Sequence, residues 1–320
     1  MKAIVYTKYG PPEVLQLKEV ARPTPRDDEV LIKVQAVSVN RSDWEGLTGK
    51  PLYARIGGLL KPRQQILGSD IAGRVEMVGR NIRRFRPGDE VFGDILGRLG
   101  GFAEYLCAPE NRLALKPASM TFEEAAAIPQ SAVIALQGIR DKGQVQPGQK
   151  VLINGAGGGA GAVAVQLAKL YGAEVTGVDN TGKLDFIRSL GADHVIDYTQ
   201  EDFTKNGKQY DLILDIVAHR SVFAYKRALR SNGRYFLAGG SVPTMLQILF
   251  LGPLIRVTTG KKVRILVVRS NLEDMVYVTE LYEAGKVTPV IDKTYPLEEV
   301  PEAIGYVGNG RAQGKVVITV

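Results

Sequence analysis

The sequence predicts an α/β protein, with a doubly wound parallel sheet joined to a second, barrel-like and mainly β domain. Three observations predict it: the rhythm of the chain changes near residue 125, continuous apolar runs alternate with helical segments beyond that point, and a glycine run stands between a strand and a helix. At 320 residues the chain is long enough for two domains, each burying a core. Its 45% hydrophobic and 23% charged residues are the proportions of a globular protein.

Before residue 125 the segments "KAIVYT", "EVLIKVQAVSV", "AGRVEMVG", "DEVFGDI" and "GFAEYLCAP" are rich in valine, isoleucine and aromatics and are separated by Gly, Pro, Asn and Asp. That is the texture of short strands and turns. The Pro-Gly-Asp of "RFRPGDEV" marks one tight turn into a strand. Beyond it, "KVLING", "AEVTGVD", "HVIDY", "YDLILDIV", "RYFLAGG" and "KVRILVV" read as strands, with "GAVAVQLAKLYG", "KLDFIRSLG" and "RSVFAYKRALRSNG" as helices between them. Apolar runs joined by helices are buried on both faces, which a parallel sheet requires. The helical "LEDMVYVTELYEAG" and the segments "PVIDKTYP", "LEEVPEAIGYV" and "KVVITV" then return to the first domain. The expected division is 1–125 with 269–320 for the β domain and 126–268 for the sheet domain.

The glycine run "GAGGGAG", residues 155–161, follows a strand and opens a helix, which is the context of a dinucleotide fingerprint. Aligned on the helix start it reads Ala156-x-Gly158-x-x-Gly161. Ala156 permits the tight turn, Gly158 lets a pyrophosphate approach the backbone, and Gly161 lets helix meet strand. The amides of Gly159 and Ala160 then face the phosphates at the positive end of the helix. A ligand-free structural turn is the bland alternative. Asp179 ends the second strand, 18 residues beyond Gly161, where a carboxylate accepts from both ribose hydroxyls and repels a 2′-phosphate. Lys183 and Tyr198 point the other way, toward a bound 2′-phosphate, with Tyr198 also placed to stack on adenine. Asp179 weighs more, so the expected cofactor is NAD(P)H with a lean to NAD(H).

The formal charge of +7 comes from 41 scattered basic residues, without an aromatic-interleaved basic patch, so a phosphorylated small molecule is expected and no nucleic-acid partner. A single cysteine, Cys107, excludes an internal disulfide and fits a reducing cytoplasm. The N-terminal "MKAIVYTKYGPPEVL" has no signal-peptide pattern. The greasiest segment, "MLQILFLGPLI" at 245–255, is interrupted by Gly252 and Pro253 and is short for a bilayer. It reads as a buried loop and helix or an oligomer contact, with no membrane partner expected.

With these motifs in order, the chain resembles the medium-chain dehydrogenase/reductase superfamily, in its zinc-free quinone oxidoreductase branch. The resemblance runs through "MKAIVYTKYGPPEVL", "VLIKVQAVSVNRSDW", "ILGSDIAGRVEMVG", "FRPGDEVFG", "GGFAEY", "EEAAAIP", "VLINGAGGGAGAVAVQLAK", "GADHVIDY" and "GKVVI". It implies a split GroES-like catalytic domain around a Rossmann domain, an active site in the cleft between them, and a homodimer. Zinc-dependent relatives have a cysteine where this chain has Asn40 and a histidine where it has Ser69. The only histidines, His194 and His219, lie in the sheet domain, whereas a catalytic zinc needs about three converging protein ligands. No metal is expected.

The same resemblance places Asn40 near the nicotinamide ribose and the substrate, Val217, Ala238 and Gly239 against the nicotinamide, and Lys315 of "GKVVI" near the cofactor. Tyr53 is the nearest hydroxyl donor in the following loop, Trp44 lines the acceptor pocket or packs, and Ile134 stands where many relatives have threonine. The acceptor pocket falls to variable segments at 47–65 and 241–260. Without a Lewis acid, hydride transfer to an electron-poor quinone or enone is the expected chemistry. Two other readings stay open: a nucleotide-binding structural or RNA-binding protein without turnover, and an alcohol dehydrogenase or carbonyl reductase.

Overall fold

The computed structural model describes residues 1–55 and 58–320. They form two compact units, one of Met1–Gln130, Ser270–Glu283 and Pro289–Val320, the other of Ser131–Arg269 and Ala284–Thr288. The short segment 284–288 groups with the second unit because Gln166 clasps Thr288, taking its N–H at 2.8 Å and donating to its carbonyl at 3.1 Å.

In the first unit, strands β1 (Lys2–Val5), β2 (Gln16–Glu19) and β3 (Glu29–Val39) precede helix α1 (Arg41–Thr48), and β4 (Asp70–Val78), β5 (Glu90–Asp94), β6 (Tyr105–Pro109), β7 (Leu113–Leu115) and helix α2 (Phe122–Ala127) follow. The second unit takes over within α3 (Pro129–Leu136). It contains β8 (Lys150–Asn154), α4 (Gly159–Leu170), β9 (Glu174–Asp179), α5 (Leu184–Ser189), β10 (His194–Asp197), β11 (Tyr210–Asp215), α6 (Val222–Ala228), β12 (Leu229–Leu237), α7 (Val242–Thr259) and β13 (Lys262–Ile265). The first unit is completed by α8 (Leu272–Glu283), β14 (Ile291–Pro296), α9 (Val300–Gly308) and β15 (Lys315–Thr319).

The spine of the first unit is β3, an 11-residue run of β-branched and apolar side chains buried along nearly its whole length. It can be so apolar because β15, β4 and β6 all pair with it, in a sheet of order β14-β15-β3-β4-β5-β7. The register has a functional consequence. Val316 lies opposite Val39, Ser38 opposite Asp70, and Asp70 opposite Asp94, so one end of the sheet collects Lys315, Asn40, Asp70 and Asp94.

The second unit is the expected doubly wound sheet, parallel throughout in the order β10-β9-β8-β11-β12-β13. The apolar runs at Val151–Ile153 and Leu212–Leu214 are buried, as helices on both faces require. Strand order reverses between β8 and β11, and the crevice at the carboxyl ends there is where such sheets bind ligands. Asp215 is buried at that point and accepts hydrogen bonds from Asn154 Nδ2 (2.7 Å), Tyr235 Oη (3.0 Å) and the Val217 N–H (3.2 Å).

One sequence expectation is corrected here. Residues 245–255 hold no loop and are buried only along one stripe: they belong to α7, an 18-residue helix that runs through Gly252 and Pro253 with only part of its surface covered. Gly252 sits where a Cβ would collide with the Val263 carbonyl, so the glycine is what lets α7 lie close on β13 rather than a break in the helix. By length and composition α7 could cross a membrane, but Thr244, Ile248, Gly252 and Ile255 form a buried stripe and the helix lies against β13.

Candidate active site

The glycine loop leaves β8 at the point where strand order reverses. Gly155 has φ +84°, a conformation that L side chains rarely adopt, and its N–H and that of Ala156 bond to the Val178 carbonyl (2.9 and 3.1 Å). A Cβ on Gly161 would strike the Gly155 carbonyl and the Ala156 backbone, so close packing of α4 on β8 fixes that residue. Gly158 is different. Its φ and ψ (−88°, 176°) suit any residue, and a Cβ there would meet only the Gly155 carbonyl, at an ordinary 3.6 Å. Neither backbone nor packing requires a glycine at 158, whereas a close-approaching pyrophosphate does, because a side chain would fill its place. Gly158 caps α4 without a side-chain acceptor, and the first-turn amides of Gly159 and Ala160 lie at the positive end of this 12-residue helix. The residues present therefore fit a dinucleotide.

Asp179 is more engaged than the sequence suggests. Its Oδ2 accepts the Gly157 N–H (3.0 Å), its Oδ1 accepts the Asn180 N–H (2.9 Å), and Lys183 Nζ stands 3.8 Å from Oδ1 with both side chains buried. A Cβ on Gly157 would press on Lys183 and Asp179, which accounts for that glycine too. Sequence reasoning set Asp179 and Lys183 against each other as signals. The fold pairs them, as a clamp on the loop beside the expected ribose. Tyr198 is half exposed and donates its N–H to the Asp179 carbonyl (3.1 Å), so it stands at the same strand ends. Val217 and Ala238 follow β11 and β12, with Ala238 N–H on the Asp215 carbonyl (2.8 Å) and the Gly239 carbonyl accepting from Ala218 (2.9 Å). The Asp215, Asn154 and Tyr235 cluster that anchors them was missed in the sequence. Its signal was there: "DLILD" ends an apolar strand on an acid with no exposed role.

In the first unit, Asn40 caps α1, and its N–H is held by the buried Asp43 carboxylate (2.8 Å), which also accepts from the Gly68 N–H (2.9 Å). Burial pushes Asp43 up to about 6. Asn40 Oδ1 accepts from Lys315 Nζ at 2.6 Å, and Lys315 also reaches Asp70 Oδ2 at 3.4 Å. Both are buried, so desolvation moves Lys315 down and Asp70 up, each toward its neutral form, while their mutual attraction opposes that. Asp70 Oδ2 accepts further from Ser38 Oγ (3.3 Å) and Gln130 N–H (3.2 Å). Gln130 bridges to Ser69 Oγ (3.1 Å) and Ser42 Oγ (3.3 Å). Among the described residues, Asn40 Nδ2 and Asp70 Oδ1 are buried and make no hydrogen bond of good geometry, although the Asn40 amide lies close enough to the Asp70 carboxyl to pull it down against the effect of burial. A buried amide donor without a well-aligned partner costs free energy unless a ligand completes it.

The other expected residues are placed elsewhere. Tyr53 Oη donates to Glu45 Oε2 (3.3 Å), and burial together with that carboxylate raises the phenol to about 12. A group so weakly acidic is a poor proton donor near neutral pH. Trp44 packs on α9, where a Cβ on Gly308 would strike its ring. His194 meets Glu174 (3.0 Å) and His219 meets the Val217 carbonyl (3.0 Å). Cys107 is half buried and raised to about 11, as burial dictates, so it is an inert thiol. Of the segment 47–65 expected to face the acceptor, residues 56 and 57 lie outside the described residues. Among the described residues no group of three or more His, Cys, Asp or Glu could hold a metal ion.

Residues 26–118 match the family described as alcohol dehydrogenase GroES-like domain, and residues 190–318 the one described as zinc-binding dehydrogenase. Across 99% of its length the chain is 36% identical to a 2-methylene-furan-3-one reductase of Solanum lycopersicum, covering 79% of that protein. It is 32% identical to an Arabidopsis thaliana NADPH-dependent alkenal/one oxidoreductase, with the same two coverages. Among solved structures it is similar to a quinone oxidoreductase from Coxiella burnetii, with a TM-score of 0.91 at 28% identity, covering 100% of this chain and 99% of that one.

Proposed function

We propose a function from the premise that this chain belongs to the medium-chain dehydrogenase/reductase superfamily, in its quinone oxidoreductase-like branch: it transfers hydride from NAD(P)H to a quinone or to the β-carbon of an enone, without zinc. The observation that carries the proposal is the surroundings of Asn40. A lysine ammonium, 2.6 Å from its Oδ1, takes up the acceptor side of the amide and leaves Nδ2 as a buried donor with no hydrogen bond of good geometry. This donor set binds a polar oxygen and not a metal, because an amide nitrogen and a cation do not ligate zinc.

A nicotinamide dinucleotide, when bound, would supply the hydride. The amides of Gly159 and Ala160 would hold its pyrophosphate, with Gly158 leaving room for it. Asn40 Nδ2–H donates to the acceptor's carbonyl oxygen, where negative charge develops as the β-carbon takes the hydride. Lys315 fixes the amide's orientation and, as a nearby positive charge, strengthens that donor. The closing proton comes from water rather than from Tyr53.

The supporting names are of both kinds, enone and quinone reductases, so the acceptor class is an electron-poor conjugated carbonyl compound. A cytoplasmic location and a homodimer complete the proposal, the latter checked by sedimentation.

The cofactor preference proposed is for NADH, on Asp179, whose buried carboxylate disfavours a 2′-phosphate. Asp179→Ser weakens NADH and relieves the penalty on NADPH, shifting the ratio of their dissociation constants toward NADPH by about ten-fold, the equivalent of one charged contact. The ratio is the readout, because losing the Gly157 anchor loosens the loop for both cofactors. An unchanged ratio in fluorescence titration rejects the preference.

A further inference from the structure

We propose that Asp43 is a positioning residue for the reaction: its ionised carboxylate aims the Asn40 amide and ties the Asn40 turn to the strand that carries Asp70. The inference rests on the reading of Asn40 as donor to the acceptor's oxygen. Asp43 lies in the first turn of α1, is only 1% exposed, and divides its two oxygens between two segments of the chain. Oδ2 accepts the N–H of Asn40 at 2.8 Å, and Oδ1 accepts the N–H of Gly68 at 2.9 Å. Asn40 directly follows the long strand β3, and Gly68 leads through Ser69 into Asp70 at the start of β4. One carboxylate, too buried to touch an acceptor itself, therefore fixes both backbones from which the donor set is built.

The arrangement works only while the group is ionised. A carboxylate accepts on both oxygens, whereas a carboxylic acid turns one of them into a donor. Each N–H here has its own oxygen, so a proton on either one breaks one of the two ties. An asparagine has the same defect, because its NH2 faces one of the two N–H donors. Burial opposes the charge and pushes Asp43 up to about 6; the Asn40 and Gly68 N–H groups and Lys315 on β15 support the charge, and Asp94 at the end of β5 disfavours it. Tyr6, just after β1, also faces Asp43, but burial raises that phenol and keeps it neutral. On α1 itself, Arg41 and Glu45 pair with each other. A proton taken up at Asp43 thus loosens either the turn that aims Asn40 or the entry to β4.

The test is a pH series on the full chain with NAD(P)H and an α,β-unsaturated ketone. Wild-type kcat falls about ten-fold per pH unit below about pH 6. Asp43→Asn is slower by at least about ten-fold near neutral pH and lacks that limb. Asp70, which burial also raises, keeps its own titration in the variant. Added to Asn40→Ala, Asp43→Asn causes no further loss, because it acts through Asn40. Hydrogen exchange reads the same event without turnover and without a variant: in wild type the Asn40 or the Gly68 amide loses protection between about pH 7 and 5, beyond the change in intrinsic rate. Both amides protected throughout, a limb near pH 6 that survives in Asp43→Asn, or additive losses beside a slow Asn40→Ala overturn the inference alone. Full turnover of Asn40→Ala rejects the donor reading, and the inference with it, even where an amide loses protection.

Discussion

Gly158→Val abolishes NAD(P)H binding and leaves the protein folded. A Cβ at that position meets only the Gly155 carbonyl at 3.6 Å, and the backbone there is extended, so valine is accommodated at a cost within about 1 kcal/mol. The same side chain stands where a pyrophosphate lies over the amides of Gly159 and Ala160. Losing two charge-assisted hydrogen bonds costs about 3–6 kcal/mol, or at least about 100-fold in affinity. Gly161→Val is the contrasting case: its Cβ collides with backbone, so it destabilises the fold itself. Thermal melting and fluorescence titration of both variants separate the two effects. If Gly158→Val binds NADH and NADPH as wild type does, the loop is only a turn.

Lys315→Met is expected to destabilise the protein strongly and with a definite pH dependence. It leaves the Asp70 carboxylate buried without its cation, and breaking a buried pair from one side costs about 3–5 kcal/mol. Burial already raises Asp70, and without Lys315 its carboxyl rises further above its unfolded value. A raised carboxyl holds a proton in the folded state that the unfolded chain has released, so stability falls as pH rises between the two values. The variant therefore comes close to wild type near pH 4 and loses progressively toward neutral pH, as followed by urea unfolding. Asp70→Asn in the Lys315→Met background removes the buried charge and restores much of the loss. A pH-independent loss, or no rescue, contradicts the pairing.

The two predictions differ in how far the sequence alone reaches. The glycine loop is local: strand, turn and helix are consecutive, so the spacing of Ala156, Gly158 and Gly161 carries the geometry with it. The Asn40 cluster is non-local. Lys315 is 275 residues from Asn40, and they meet only because β15 pairs with β3 in a register that sets Val316 against Val39. No periodicity in either segment announces that register, so the sequence placed both residues near a cofactor by resemblance but not against each other. Asp70 was passed over for the same reason: its partners Lys315 and Gln130 are distant from it in sequence. Asp179 and Lys183 show another limit. Their spacing of four on a strand-to-helix turn was legible, but whether two opposite charges compete for a ligand or neutralise one another depends on rotamers that sequence does not specify. For α7 the sequence left burial and an oligomer contact as alternatives, because hydropathy measures how apolar a segment is, and not which side of it the fold covers.

The most direct test of the central claim follows deuterium. Chelator-treated protein is given NADH or NADPH deuterated at either face of C4, together with an α,β-unsaturated ketone, and the product is analysed by mass spectrometry and NMR. Metal-independent hydride transfer predicts one deuterium at the β-carbon, from one face of the cofactor only, at a rate unchanged by the chelator. Loss of turnover on chelation with recovery on added zinc contradicts it, as does an absence of labelled product across enones despite tight cofactor binding.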